Sequence, residues 1–250
     1  ADNKYTWYDS NPATNGGYAG TPGVATDTED FIAILNAANF GGFSDWRLPT
    51  RHELLSIVNY GRFDPYIDAF FFPGTQTSYP YWSSITVPDD NSDAWDISFS
   101  SGSSAPRDKS WDDFYVRAVR GGHIHSSFVN NGDGTVTDTS TGLMWQQTTP
   151  SGARTWTSAI SYCEGLDLAG HTDWRLPTIK ELESIVDLAK RYNPRINTSF
   201  FPDTQLKCWS STTLNNNSSY AWRIDFDYGY YSGLYKSGVN GYVRAVRSLL

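Results

Sequence analysis

Hydrophobic and polar positions in this chain change period at one recurring place. In DWRLPT (45–50) they alternate, with Trp46 and Leu48 to one side and Asp45 and Arg47 to the other, the pattern of a short strand with one buried face. Leu48 precedes a proline and is held extended. The period then lengthens: Leu54, Ile57 and Val58 form a helical stripe, and Thr50 followed by Glu53 has the spacing of a capping box. The same six residues return at 173–178, with Thr178, Glu181, Leu182, Ile185 and Val186 in the same places. The pattern predicts two strand-to-helix corners, with helices over about 51–60 and 179–190. An earlier helix is expected before each corner: Thr26 with Glu29 caps FIAILNAA, and TWTSAISYCEGL (155–166) fills the equivalent slot. Short strands are expected at 81–86, 95–99 and 115–120, and at 208–213, 222–226 and 242–247.

The recurrence extends far beyond six residues. FFPGTQ (71–76) matches FFPDTQ (200–205), WSS (82–84) matches WSS (209–211), AW (94–95) matches AW (221–222), and YVRAVR (115–120) matches YVRAVR (242–247). The offset is 128 at the corner, 129 at FFP and 127 from WSS onward, so small insertions and deletions alone separate the copies. The chain reads as a tandem duplication, 1–122 and 123–250, of one α+β domain: two helices, then short antiparallel strands with long loops. No run of 18 apolar residues is present, so no membrane span is expected.

Charge changes the picture for partners. Residues 1–122 carry 16 acidic and 8 basic side chains, a net of 8 − 16 = −8, and 123–250 carry 11 of each, a net of 0. Excess negative charge argues against nucleic acid and against bulk attraction to anionic glycans or lipids. Lys180, Lys190, Arg191, Arg195 and Lys207 cluster in the second repeat's sequence, where a solvated helix face is the ordinary explanation.

Cysteines occur in the second repeat alone. Cys163 and Cys208 stand where the first repeat has Leu35 and Tyr81, so one half has both and the other neither. Paired presence suggests a disulfide, ahead of two buried thiols or a metal site without His or Cys neighbours, and a disulfide would place the protein outside the cytosol.

Other candidate chemistry is sparse. The Asp, Arg and Glu of the corner are used by capping and packing, so no catalytic residue is assigned and no enzyme activity is expected. NNGDGTVTDTSTG (130–142) contains Asp133 and Asp138 between glycines, a weak calcium candidate against the simpler reading as a tight hairpin, so no cofactor is expected. His123 and His125 form an H-x-H pair of no assigned role. The strongest contrast lies between the copies. Tyr228, Tyr230, Tyr231 and Tyr235 stand opposite Ser101, Ser103, Ser104 and Asp108, and NNNSSY (215–220) stands opposite PDDNSD (88–93). A core position exchanging Tyr for Ser would leave a costly cavity, so these positions are expected to be exposed recognition loops. Tyr228, Tyr230, Tyr231, Tyr235, Asn215, Asn216 and Tyr220 make up the candidate binding surface, with a packed Tyr-rich hairpin as its rival.

In order, GLMWQ (142–146), DWRLPT, FFPDTQ, CWSS and YVRAVR resemble the bacterial family typified by the C-terminal domain of a collagen-like adhesin, the Lcl type. The chain is also similar to the wider C-type-lectin-like and formylglycine-generating-enzyme-like fold. The resemblance implies an extracellular or cell-surface adhesion module secreted by a leader, with a surface glycan or protein as partner. The family's best-known member engages sulfated polysaccharides, which the charge of this chain disfavours. The enzyme branch relies on a redox-active cysteine pair whose placement differs from that of Cys163 and Cys208. The alternative to recognition is a structural subunit that self-associates into a fibre or layer.

One element has no counterpart. GTVTDTSTGLMWQ in the second repeat reads as two short strands whose Leu143 and Trp145 line the core, and the first repeat has nothing similar before TWY (6–8). An unpaired edge is therefore expected there, filled by a strand lost with a processed precursor, by TWY, or by another chain, which would propagate a fibre.

Overall fold

The corner residues fold as their pattern dictates, twice. In the computed structural model, which describes residues 3–23, 27–110, 113–122, 126–191 and 193–249, Thr50 and Thr178 each close a capping box. Each threonine hydroxyl accepts the N–H of the glutamate three residues on at 3.2 Å, and each glutamate accepts the threonine N–H at 2.7 Å.

The chain divides into two compact units, Ala1–His123 and Ile124–Leu250. The first contains α1 (Thr28–Ala37), β1 (Trp46–Arg47), α2 (Arg51–Ser56), β2 (Tyr81–Val87), β3 (Asp90–Ile97), β4 (Pro106–Asp108) and β5 (Val119–Arg120). Strands β2, β3 and β4 form an antiparallel sheet in that order, and β5 returns to pair with β1. The second unit opens with β6 (Phe128–Asn130), β7 (Thr135–Asp138) and β8 (Leu143–Gln146). It continues with α3 (Trp156–Glu164), α4 (Ile179–Ser184), β9 (Lys207–Leu214), β10 (Asn217–Asp225), β11 (Tyr230–Tyr235) and β12 (Val246–Ser248). Strands β9, β10 and β11 repeat the three-stranded sheet, and β12, β8, β7 and β6 form a four-stranded one. Few helices and many antiparallel strands in small sheets make the chain α+β.

Several expectations shift. Helices α2 and α4 stop after six residues each, at Ser56 and Ser184. The β-branched Ile57–Val58 and Ile185–Val186 follow, and branching at Cβ crowds a helical turn. The stripe still packs: Leu54, Val58, Leu182, Ile185 and Val186 are buried, so the period reported burial rather than backbone. Thr26 lies outside the described residues, and the cap of α1 is Asp27, whose carboxylate accepts the Asp30 N–H at 2.8 Å. Residues 106–108 and 230–235, expected as loop, are the third strands of their sheets.

The two cores differ in closure. In the second unit Ala159 and Cys163 of α3 pack with Trp174, Leu176, Trp209, Ala221, Val243 and Ala245, all buried. In the first unit the corner residues Trp46 and Leu48 stay half-exposed, and α1 buries Thr28 alone.

Candidate functional site

Polar residues of the repeated corner are consumed by the fold. Arg47 donates to both oxygens of Glu53 at 2.8 and 2.6 Å, and Arg175 repeats this with Glu181 at the same distances. Arg120 reaches Asp45 at 2.9 Å and Arg247 reaches Asp173 at 2.7 Å, tying the last strand to the corner. Each carboxylate has an arginine partner and a structural task.

Candidate binding residues lie on the three-stranded sheet of the second unit, at two separate ends. Tyr220 and Tyr235 face each other across β10 and β11, rings edge-on with centroids 5.4 Å apart, and Tyr235 is 50% exposed. Asn215 and Asn216, both exposed, form the β9–β10 turn at this end. Tyr228, 55% exposed, stacks on Tyr230 at 5.5 Å with planes 19° apart at the other end, beside Asp225. Five steps along the strand separate the pairs, about 17 Å. They form two patches.

Tyr231 belongs to neither. It is 3% exposed and packs edge-on against Trp222 at 5.7 Å, so its expected place in an exposed loop is corrected. Its first-unit counterpart Ser104 is 6% exposed and equally interior. A different side chain lies beside the equivalent tryptophan in the first unit. Arg51, fully buried as the first residue of α2, lays its guanidinium 4.4 Å from the ring of Trp95, the counterpart of Trp222, and α4 begins instead with the smaller Ile179. A second feature was hidden by composition. In YYSGLY the residues Tyr231, Gly233 and Tyr235 alternate with Tyr230, Ser232 and Leu234, a strand period masked by Gly and Ser.

The expected disulfide is not formed: Cys163 and Cys208 are free, buried thiols. Cys163 shares a core cluster with Trp209. Cys208 precedes Trp209 on β9, so its side chain leaves the opposite face of the strand, where Sγ approaches the Gln205 carbonyl at 3.7 Å. Burial pushes both thiols up to about 12, leaving them protonated and inert. The redox argument for location falls with the bond.

Asp133 accepts the Thr135 N–H at 3.0 Å and hydroxyl at 2.6 Å, and Asp138 does the same for Ser140 at 3.0 and 2.6 Å, so both close turns of the hairpin. Among the described residues no group of three or more His, Cys, Asp or Glu could hold a metal ion. His123 and His125 lie outside the described residues. The basic run disperses: Arg195 is buried, Lys190 donates to the Ile196 carbonyl at 2.9 Å, and Lys207 lies 3.9 Å from Asp225. No described helix is long and apolar enough to cross a membrane.

The architecture defines a duplicated α+β module with an invariant corner and a three-stranded sheet whose outer positions vary between copies. The chain belongs to the Lcl C-terminal domain family, whose model matches residues 1–120 and again 134–247. The family is associated with bacterial surface adhesins. No curated protein matches the chain.

Proposed function

We propose that this protein is an extracellular or cell-surface recognition module with a C-type-lectin-like frame. It binds a surface glycan or protein through the Tyr220, Tyr235, Asn215 and Asn216 end of its second sheet, and it has no catalytic role. The observation that carries this reading is a single register position. Tyr220 pairs with Tyr235 in the second unit, and Asp93 pairs with Asp108 in the first, on the same antiparallel frame. Like charges directly opposite on a sheet are unfavourable, so the pairing of Asp93 with Asp108 is not itself what holds the frame. A frame that keeps its buried Trp95 or Trp222 while exchanging an acidic for an aromatic pair is built to present surface chemistry. Exposed tyrosines offer flat faces for the C–H side of a sugar ring or an apolar protein contact, and the asparagine amides supply donors and acceptors. Family membership supports the surface location.

Replacing both tyrosines with the first unit's residues tests the site. On a glycan array and a panel of surface proteins, the parent should bind saturably, and Tyr220→Asp with Tyr235→Asp should lose at least tenfold in affinity while its circular dichroism stays that of the folded parent. Equal binding by both proteins sinks the assignment. A parent that binds nothing and elutes as a polymer favours the structural-subunit alternative.

A further inference from the structure

The two units carry the same YVRAVR sequence in the same place, yet they bury it differently. In the second unit Val243, Arg244, Ala245 and Val246 are completely buried, whereas Val116, Arg117, Ala118 and Val119 of the first are half-exposed. The difference has one source. Strand β12 lies between Arg175 on one side and β8 on the other, with Val246 opposite Trp145 and the Gln146 N–H donated to the Ala245 carbonyl at 2.9 Å. Strand β5 pairs with β1 alone, in a two-stranded sheet.

Three further counterparts are uncovered along the same face. Arg244 donates to the Gln146 carbonyl at 2.8 Å, to the Gln147 carbonyl, and to the Thr149 and Thr204 hydroxyls at 2.9 Å each. Arg117 keeps the equivalent of the last bond, to Thr75 at 2.8 Å, and rests its guanidinium on Phe72 at 4.8 Å. Phe200 and Phe201 pack against Phe128 of β6 at 5.6 and 5.2 Å, whereas their counterparts Phe71 and Phe72 have no such cover and Phe71 is 71% exposed. Beside them Phe70 is 83% exposed. Between α1 and β2 an apolar cleft of about 350 Å³ opens, with Trp7, Ile32, Leu48 and Ile85 in its wall. Exposed Phe70 and Phe71 near an unpaired edge have the character of a docking face.

TWY does not fill it. The Trp7 indole donates to Ser83 carbonyl at 2.9 Å, and Trp156 donates to the equivalent Ser210 carbonyl at 2.8 Å. The Trp82 indole donates to the Tyr5 carbonyl at 2.8 Å, and Trp209 donates to Arg154 at 2.9 Å. Tyr5 bridges Phe114 as Arg154 bridges Gly241. Tyr5–Trp7 is thus the structural counterpart of Arg154–Trp156. Gln146 precedes Arg154 by 154 − 146 = 8 residues, but only four residues precede Tyr5. Among the described residues of the first unit no strand takes the place of β8.

We propose that the β5 edge, Arg117 and the Phe70–Phe72 patch form a receptor face for a three-stranded β segment of the β6–β8 pattern, seated as β6–β8 seat on β12, Arg244 and Phe200–Phe201 in the second unit. Its last strand runs antiparallel to β5 with an apolar-x-Trp pattern. That strand offers a backbone N–H to the Ala118 carbonyl and two backbone carbonyls to Arg117, and an aromatic residue from its first strand covers Phe71 and Phe72.

The molecule already contains a surrogate. Register equates the residue before Ala1 with residue 149, so a copy of residues 126–149 is fused directly ahead of Ala1. Hydrogen exchange across 118–122, binding of an apolar dye and oligomeric state are then compared with the 1–250 chain. The fused protein should slow exchange at those amides at least tenfold and lose dye binding, and a fusion carrying Trp145→Asp in the added copy should do neither. Unchanged exchange in the fused protein overturns the proposal. So does a 1–250 chain that already dimerises with 118–122 protected, since a second copy would then be the natural cover.

Discussion

At the residue scale the most consequential group is one that no sequence pattern singled out. Asp96 lies on β3, almost wholly buried, and accepts the Ala105 N–H at 2.7 Å and Arg107 Nε at 3.0 Å. Burial outweighs both partners and pushes its carboxyl up to about 6, from a usual 3.8. A folded-state value above the unfolded one means that the native protein holds this proton more tightly. The associated stability is fully present below about pH 4 and is lost as pH rises through about 6, amounting to about 3 kcal/mol from the two-unit difference. The measurement is denaturant unfolding of the first unit at pH 4 and pH 7.5. Asp96→Asn, which keeps an acceptor for Ala105, should gain on the parent by up to that amount across the interval. Parallel pH profiles would show that Arg107 keeps the carboxylate charged in both states.

Elements were legible where backbone and side chain both left a mark. The corner could be read residue by residue because Thr50, Glu53, Thr178 and Glu181 serve a cap whose spacing is fixed by helix geometry. Strand β11 could not, because Gly233 and Ser232 dilute its alternation. Tyr231 was misplaced because an exchange for Ser implies exposure only if no other residue refills the space, and Arg51 stands 104 − 51 = 53 positions from Ser104 in sequence. The two exposed tyrosine pairs were legible as residue types, but their separation depended on the register. The corner also supports a quantitative expectation. Desolvation pushes the Glu181 carboxyl up, yet Arg175 and the Thr178 N–H together hold it below its usual value. Thr178→Ala removes one cap bond and should cost about 1 kcal/mol. Glu181→Gln removes the other cap acceptor's charge and also strands Arg175, so it should cost more, by calorimetry at neutral pH. A smaller loss for Glu181→Gln would mean that the ion pair adds nothing to the cap.

For the whole molecule, duplication served as an internal reference: each unit shows what the other could have been. The covered and uncovered copies of YVRAVR make the first unit's open face visible without any outside comparison. Burial of the thiols was invisible for the opposite reason, since the first unit has no cysteine against which to check a bond. The exchange of Arg51 and Ser104 for Ile179 and Tyr231 has an evolutionary consequence. Neither substitution is neutral alone: Tyr231→Ser opens a cavity beside Trp222 and should cost about 3 kcal/mol, and Ile179→Arg forces a guanidinium into occupied space. Together they recreate an arrangement that the first unit already tolerates, so the double variant should recover much of the loss, a coupling readable by a double-mutant cycle. Strictly additive losses would refute the compensation. If the coupling holds, sequence drift between the copies had to cross a fitness valley or pass through a rare permissive intermediate, and gene conversion of a short tract from one copy into the other would be selected against whenever it carried only one member of the pair.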